Sequence, residues 1–288
     1  MKVQWYPGHM TKARRMMQQE IKLVDVIIEV IDARIPFASR NPDIDELGAH
    51  KPRIILLNKA DLADDRISEL WLAFFRNKGF FALKMNSRKN TGIKQIHELL
   101  QKACAEKIQR DIRRGIKNRP IRAMVVGIPN VGKSTFINTF AGRASTKTGN
   151  KPGVTKGKQW IRIHKSIELL DTPGILWPKF EDETVGVHLA MIGSVNDDIL
   201  NKEELALQLL LTIMQRYPGK LTEYYGISME EEALPVLEQI AQARNCIAKG
   251  NTLNYSKAAD LILDDFRAGK IARISLEAPE ETTTDEED

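Results

Sequence analysis

The stretch GIPNVGKST, residues 127–135, decides how the rest of the chain is read. From Gly127 to Ser134 it matches G-x-x-x-x-G-K-[ST], after the apolar run IRAMVV (121–126) and before the helical pattern STFINTFAG (134–142). Strand, Gly-rich turn and helix in that order make a phosphate cradle. The glycines let the backbone curl until successive N–H groups face phosphate oxygens. Asn130, Val131, Gly132, Lys133, Ser134 and Thr135 are therefore candidate binding residues. Lys133 is placed to reach the β- and γ-phosphates and Ser134 to ligate Mg²⁺. The helix that starts at Ser134 aims its positive end at the same anion.

Outward from this loop, DTPG (171–174) lies 37 residues beyond Ser134 at the end of an apolar run. That distance suits Asp171 as a holder of Mg²⁺ through water and Gly174 as an N–H donor to the γ-phosphate. Between them, Thr155 in PGVT is the candidate switch threonine for Mg²⁺ and the γ-phosphate, with Thr146 and Thr148 as rivals. Upstream, NKAD (58–61) offers a base-selecting set. Asp61 can accept from guanine N1–H and N2–H₂ together, whereas adenine would leave the carboxylate unpaired, a costly mismatch. Asn58 suits the guanine N7/O6 edge and the stem of Lys59 suits the ring face. NSR (86–88) sits at another strand end, where Asn86 and Ser87 are placed to present a backbone N–H to O6. The elements together imply GTP or GDP as ligand and GTP hydrolysis as the reaction.

The order is unusual, because the base motif precedes the phosphate loop by about 70 residues. Apolar β-branched runs at 24–33, 52–62, 80–87, 121–130, 158–164 and 166–174 predict strands. Helical spacing at 67–79, 92–114 and 134–142 predicts helices between them. Such alternation implies an α/β fold with a mostly parallel sheet covered on both sides. Beyond residue 180 only helical spacing remains, with Asn201 and Glu204 forming a capping box. The expected organisation is a nucleotide domain over 1–178, a small all-helical domain over 179–276 and an acidic, disordered tail over 277–288. There is no internal repeat. In this order residues 175–180 lead from the γ-phosphate contact at Gly174 straight into the helical domain, so loss of that phosphate can move it directly. Residues 1–23 are expected to pack over the nucleotide domain.

Composition narrows the partners. The chain of 288 residues has 43 Lys and Arg against 38 Asp and Glu, a net charge of +5. Seven of the acidic residues lie in 277–288, so the remainder carries +12. The excess is clustered: residues 141–165 hold seven basic residues and no acid, and 102–122 hold eight against two. Two such clusters point to a phosphate backbone as partner. No apolar run reaches the roughly 18 residues of a membrane span. The N-terminus lacks a signal-peptide core. Two cysteines make no disulfide framework, so a reducing cytoplasm is expected.

Taken with QWYPGHMTKARR, DARIPFASRNP, GIPNVGKST and LLDTPGILWPKFED, the motif order resembles the YlqF family, the ribosome biogenesis GTPase A group of circularly permuted, translation-factor-like GTPases. The resemblance spans the chain except the acidic tail. It implies a circularly permuted P-loop GTPase domain followed by a helical domain that contacts rRNA. It further implies a cytoplasmic bacterial factor, monomeric off the ribosome. Such a factor binds the large ribosomal subunit precursor through rRNA and ribosomal proteins and acts late in its assembly. Ile175 stands where many GTPases carry a water-orienting Gln. The catalytic group must then come from elsewhere in the chain, from a cation or from the partner, and hydrolysis by the isolated protein is expected to be slow. His9 in YPGHM, a segment that the resemblance puts near the switches, is the candidate catalytic side chain beside Lys133 and Thr155. Asn130 matches the position where related GTPases hold K⁺. Two other readings remain at this point: an rRNA-binding module with a mainly structural nucleotide site, and a GTPase serving an RNA-modifying enzyme.

Overall fold

The computed structural model describes residues 7–146, 159–163, 165–172, 183–197 and 200–279, with the side chains of the first helix described from Arg14 onward. Six strands form one sheet: β1 (Val26–Asp32), β2 (Arg53–Asn58), β3 (Phe81–Lys84), β4 (Ile121–Val126), β5 (Gln159–Ile163) and β6 (Ile167–Asp171). Their order is β3-β2-β1-β4-β6-β5, and all pairings are parallel except β5 with β6. Joining the chain ends and opening the chain between β3 and β4 would leave this sheet unchanged. That is the circular permutation: the strand bearing the phosphate loop is central in space but fourth in sequence.

Every residue of β1 and β2 is buried, as expected for β-branched runs covered on both faces. Alternation divides their side chains. Val26, Ile28, Val30, Ile54, Leu56 and Val125 meet α4 (Ile93–Ala103) and α6 (Lys133–Ala141) through Ile96, Leu100, Phe136, Ile137 and Phe140. On the opposite face Ile31, Ile55 and Leu57 pack on Trp71, Leu72 and Phe75 of α3 (Asp65–Asn77). Further along that face, Ile27, Met124, Val126 and Leu170 meet Met17 of α1 (Pro7–Glu20) and Ile44 of α2 (Asp43–Leu47). The expected packing of the N-terminal segment over the sheet is thus seen from Met17 onward.

The pattern over 92–114 does not make one helix. Cys104 breaks it, and α5 (Ala105–Arg113) starts afresh beyond. The helical region comprises α7 (Glu183–Met191), α8 (Lys202–Arg216), α9 (Lys220–Tyr225), α10 (Ala233–Ala243) and α11 (Tyr255–Arg267). Asn201 caps α8 by accepting from the N–H of Glu204 at 3.2 Å. One apolar cluster runs without interruption from the sheet through Val185 and Leu189 of α7 to Leu209, Ile240 and Ile262. The helices therefore share a core with the nucleotide domain.

The boundary expected at residue 277 does not hold. Glu277 and Ala278 are buried. The Glu277 carboxylate accepts from the N–H groups of Phe37 (2.8 Å) and Ala38 (3.2 Å) and lies 2.9 Å from His188 Nδ1, while Trp71 Nε1 donates to its carbonyl at 3.2 Å. Four donors facing one residue offset its desolvation, so this acidic residue belongs to the folded body. Residues 270–276 leave the helices and run back along the NKAD loop: Ile274 N donates to Leu62 O, and Arg273 donates to Ala60 O and Ala63 O.

Candidate nucleotide site

Asp32, Asn58, Gly127 and Asp171 all stand at the carboxyl ends of parallel strands, where ligands of open α/β sheets bind. This common edge brings together segments more than 100 residues apart. The phosphate loop leaves β4 at Gly127, where an added Cβ would lie 2.5 Å from Val30 O. Gly132, at φ +92, is the N-cap of α6, and a Cβ there would strike the Asn58 amide. The glycine pattern thus answers two close approaches of backbone. Lys133 and Val131 are buried, and Ser134 and Thr135 are half-buried at the start of α6.

Asn58 is 2 % exposed and joins three pieces. Its Nδ2 donates to Val131 O at 2.7 Å, and its Oδ1 accepts from Ser87 N at 3.0 Å and Ser87 Oγ at 2.9 Å. Its first role is to lock the base loop to the phosphate loop, which differs from the expected contact with the guanine edge alone. NSR is also differently used. The N–H groups of Arg88 and Lys89 donate to Asn86 Oδ1 at 2.9 and 3.1 Å, and that of Asn86 donates to Thr91 O. With Ser87 N on Asn58, each N–H expected to face guanine O6 already has a protein acceptor. The reason is local: Asn86 turns its own loop, as Asn side chains do.

Lys59 takes φ +57, a conformation costly for a residue with a Cβ and characteristic of sites that the surroundings enforce. Its Nζ lies 2.9 Å from Asp32 Oδ2. Asp32 in turn holds Arg34 by a two-pronged pair, Nε to Oδ1 and Nη2 to Oδ2, both 2.9 Å. Burial alone would raise the Asp32 pKa, but Arg34 and Lys59 outweigh it and hold the carboxyl well below the usual range. Asp61 is exposed at the rim.

On the phosphate side, Lys133 Nζ lies 3.0 Å from Asp171 Oδ1. Burial pushes the Lys133 ammonium below the ordinary lysine value against the pull of Asp171. Asp171 Oδ2 is buried with no hydrogen-bond partner among the described residues. An orphaned carboxylate oxygen, on a residue whose other oxygen meets Lys133 at the start of α6, fits the acceptor for a metal-bound water. Thr146, a rival for the switch threonine, is spent on α6: its hydroxyl bonds Ser134 O and Asn138 Oδ1, and its N–H bonds Asn138 Oδ1. Asn130 stands at φ +63 and donates its Nδ2 to Gly193 O, so its amide nitrogen faces the helical region. Thr155, Thr148 and Gly174 lie outside the described residues. His9 falls in the first turns of α1, where only the backbone is described.

Sequence reasoning missed Asp32 and Arg34 as site residues. The signal was present in DARIP at the end of a buried run. Its meaning depends on the register that sets Asp32 against Asn58.

A chain from Bacillus cereus called "Ribosome biogenesis GTPase A" is 46 % identical over 282 residues, covering 98 % of this chain and 95 % of that one. The chain belongs to the ribosome biogenesis GTPase A family. The family described as 50S ribosome-binding GTPase matches residues 122–243, from β4 into α10, while NKAD lies outside that match on its N-terminal side. Two solved structures of YlqF, one of them a crystal structure of the T. maritima protein, share this fold. The GNP-bound form gives a TM-score of 0.64 at 28 % identity over 93 % of this chain and 99 % of that one. The GDP-bound form gives 0.66 at 27 % over 92 % and 100 %. This member of the ribosome biogenesis GTPase A family is a guanine-nucleotide-binding protein and a GTP hydrolase. Its fold is the circularly permuted GTPase with a helical C-terminal region. Among the described residues no helix is long and apolar enough to cross a membrane.

Proposed function

We propose that this GTPase binds the large ribosomal subunit precursor through rRNA and ribosomal proteins, and that GTP hydrolysis promotes a late assembly step. The protein is then a cytoplasmic factor, monomeric off the ribosome and slow in hydrolysis until it meets the particle. The observation that carries this reading is a basic face outside the nucleotide site. Lys102, Arg110, Arg113, Arg114, Lys117 and Arg119 are exposed on and around α5, with Ile112 (64 % exposed) among them. On the edge strand β5, Trp160 is also exposed, with the Arg122 guanidinium 5.3 Å from its ring centre. Cations track phosphates, and an exposed indole with a stacked guanidinium suits unpaired bases. The helical region was expected to contact rRNA, yet residues 183–279 hold nine Lys and Arg against fourteen Asp and Glu. Electrostatics therefore favour α5 and the β5 edge as the RNA-facing side. The relatives' names support the ribosome as the source of that RNA.

In this reading Ser134 and Thr155 would hold Mg²⁺ directly and Asp171 through water, and Lys133 would meet the β- and γ-phosphates. When bound, Mg²⁺ would supply neutralisation of phosphate charge. Gly174 donates to the γ-phosphate. K⁺ at Asn130 rests on the residue pattern, and it predicts faster turnover in K⁺ than in Na⁺, a difference lost in Asn130→Ala.

Co-sedimentation with large-subunit particles tests the function. Binding should weaken steeply with salt as counterions are released. Combined Arg113→Glu, Arg114→Glu and Lys117→Glu should abolish association while GDP affinity stays parental. Parental association of that variant at every salt concentration would refute the RNA-facing assignment.

A further inference from the structure

The phosphate loop touches the helical region at two points. Asn130 Nδ2 donates to Gly193 O, and Ser194 Oγ donates to Pro129 O at 2.7 Å. Gly193 and Ser194 form the turn that closes α7. That turn is gripped by Arg267, the last residue of α11. Its Nε donates to Met191 O at 3.0 Å and its Nη2 to Ala190 O at 2.8 Å, while Asp197 receives Nη1 at 2.7 Å and Nη2 at 2.9 Å. Ala190 and Met191 offer the orphan carbonyls and negative dipole of a helix end, and a planar guanidinium can meet two carbonyls and a carboxylate at once. Gly193, at φ +75, lies so close that an added Cβ would sit 3.3 Å from Arg267 Cζ.

The end of α11 also reaches the base side. Arg34 Nη1 lies 3.4 Å from the carbonyls of Phe266 and Arg267, and Arg34 is the partner of Asp32, which holds Lys59. Contacts from NKAD and from the phosphate loop thus converge on a single helix terminus.

We propose that Arg267 is a positioning residue for the phosphate loop: by clamping the turn after α7 it holds Gly193 O against Asn130 and keeps the loop in its nucleotide-receiving form. Asn130 sits in the left-handed region at φ +63, which Asn tolerates, and its side-chain bond to Gly193 O ties that loop conformation to the turn. A loop without that tie is receptive for a smaller fraction of the time, and apparent affinity falls with that fraction. The linkage is reciprocal: nucleotide that stabilises the loop stabilises the docking of the α7 turn by the same factor.

The test titrates the full-length protein with fluorescent GDP, with thermal unfolding followed in parallel. Arg267→Lys keeps the charge beside Asp197 but loses the fork across Ala190 and Met191. It is expected to raise the GDP Kd about tenfold at temperatures well below unfolding. In an Asn130→Ala background the same change is expected to have a clearly smaller effect, because the path through Gly193 is cut and only the Ser194–Pro129 bond still joins turn and loop. Lys202→Ala, which breaks the exposed Lys202–Asp260 pair between α8 and α11, serves as the control with parental affinity. Should Arg267→Lys fail to fold, Ser194→Ala removes the bond from the turn to Pro129 O without touching α11, leaves Asn130–Gly193 as the remaining link, and is expected to raise Kd about threefold. Parental affinity in a folded Arg267→Lys, or in Ser194→Ala where it replaces it, overturns the proposal, as does an Arg267→Lys effect that persists in full without Asn130.

Discussion

Asn58 and Val131 stand 73 positions apart in the chain and are joined by one hydrogen bond of 2.7 Å, from the amide of the base-recognition loop to a carbonyl of the phosphate loop. The bond exists because β2 and β4 flank β1, so their carboxyl ends open on the same edge of the sheet. It makes the two halves of the nucleotide site mechanically one.

Asn58→Ala should therefore damage phosphate binding as well as base binding. It orphans Val131 O and the N–H of Ser87, each costing about 1–3 kcal/mol when buried. We expect at least a tenfold weaker GDP Kd and, unlike a pure base contact, a matching loss for inorganic pyrophosphate. Pyrophosphate binding at parental strength would show that the bond does not shape the phosphate loop.

Asp61→Asn should move base preference. The exposed carboxylate faces guanine's two N–H groups in our reading, and an amide matches only one of them. GTP affinity should fall by about 1–3 kcal/mol, with partial recovery for xanthosine triphosphate, whose 2-oxo group accepts. Competition titration of the two nucleotides decides it, and an unchanged GTP preference would remove Asp61 from base selection.

Asp32→Asn should cost stability in a pH-dependent way. The folded pKa of Asp32 lies below its unfolded value of 3.8, so its ionised form contributes stability above that pH. The contribution is lost as pH falls through 3.8 toward the folded value. Breaking the buried pair with Arg34 is expected to cost about 3–5 kcal/mol at neutral pH. The gap between parent and variant in denaturant unfolding should narrow below pH 3.8. A gap independent of pH would mean that packing, and not charge, accounts for the loss.

His9→Ala should spare GDP affinity and lower particle-stimulated GTP turnover by roughly 10²-fold, the scale of general acid–base help. His188→Ala is the control, since His188 faces Glu277 and not the nucleotide site. Single-turnover hydrolysis on large-subunit particles gives the comparison. A parental rate would send the search for the catalytic group to the particle or to a bound cation.

Much of this protein is written locally. Strands β1, β2, β4 and β6 are readable because runs such as VDVIIEVIDA and PRIILL have no polar face to give a helix. The residues that end them, Asn58, Gly127 and Asp171, stand out in the sequence because their motifs follow apolar runs, and the fold sets all three at the carboxyl edge of the sheet. The permuted order is visible from motif sequence alone. Other features depend on pairings that no local pattern encodes. α7 escapes detection because ETVGVHLAM buries most of its surface and shows no polar stripe. Residues 92–114 show one continuous helical periodicity, which says nothing of the break at Cys104. The contact of Asp32 with Lys59 requires the β1–β2 register, and that of Asn130 with Gly193 requires the docking of α7 beside the phosphate loop. Glu277 shows the same limit in one residue. Composition assigns an acid beside EETTTDEED to solvent, and only the fold supplies the two N–H groups, more than 230 residues away, that keep its carboxylate buried.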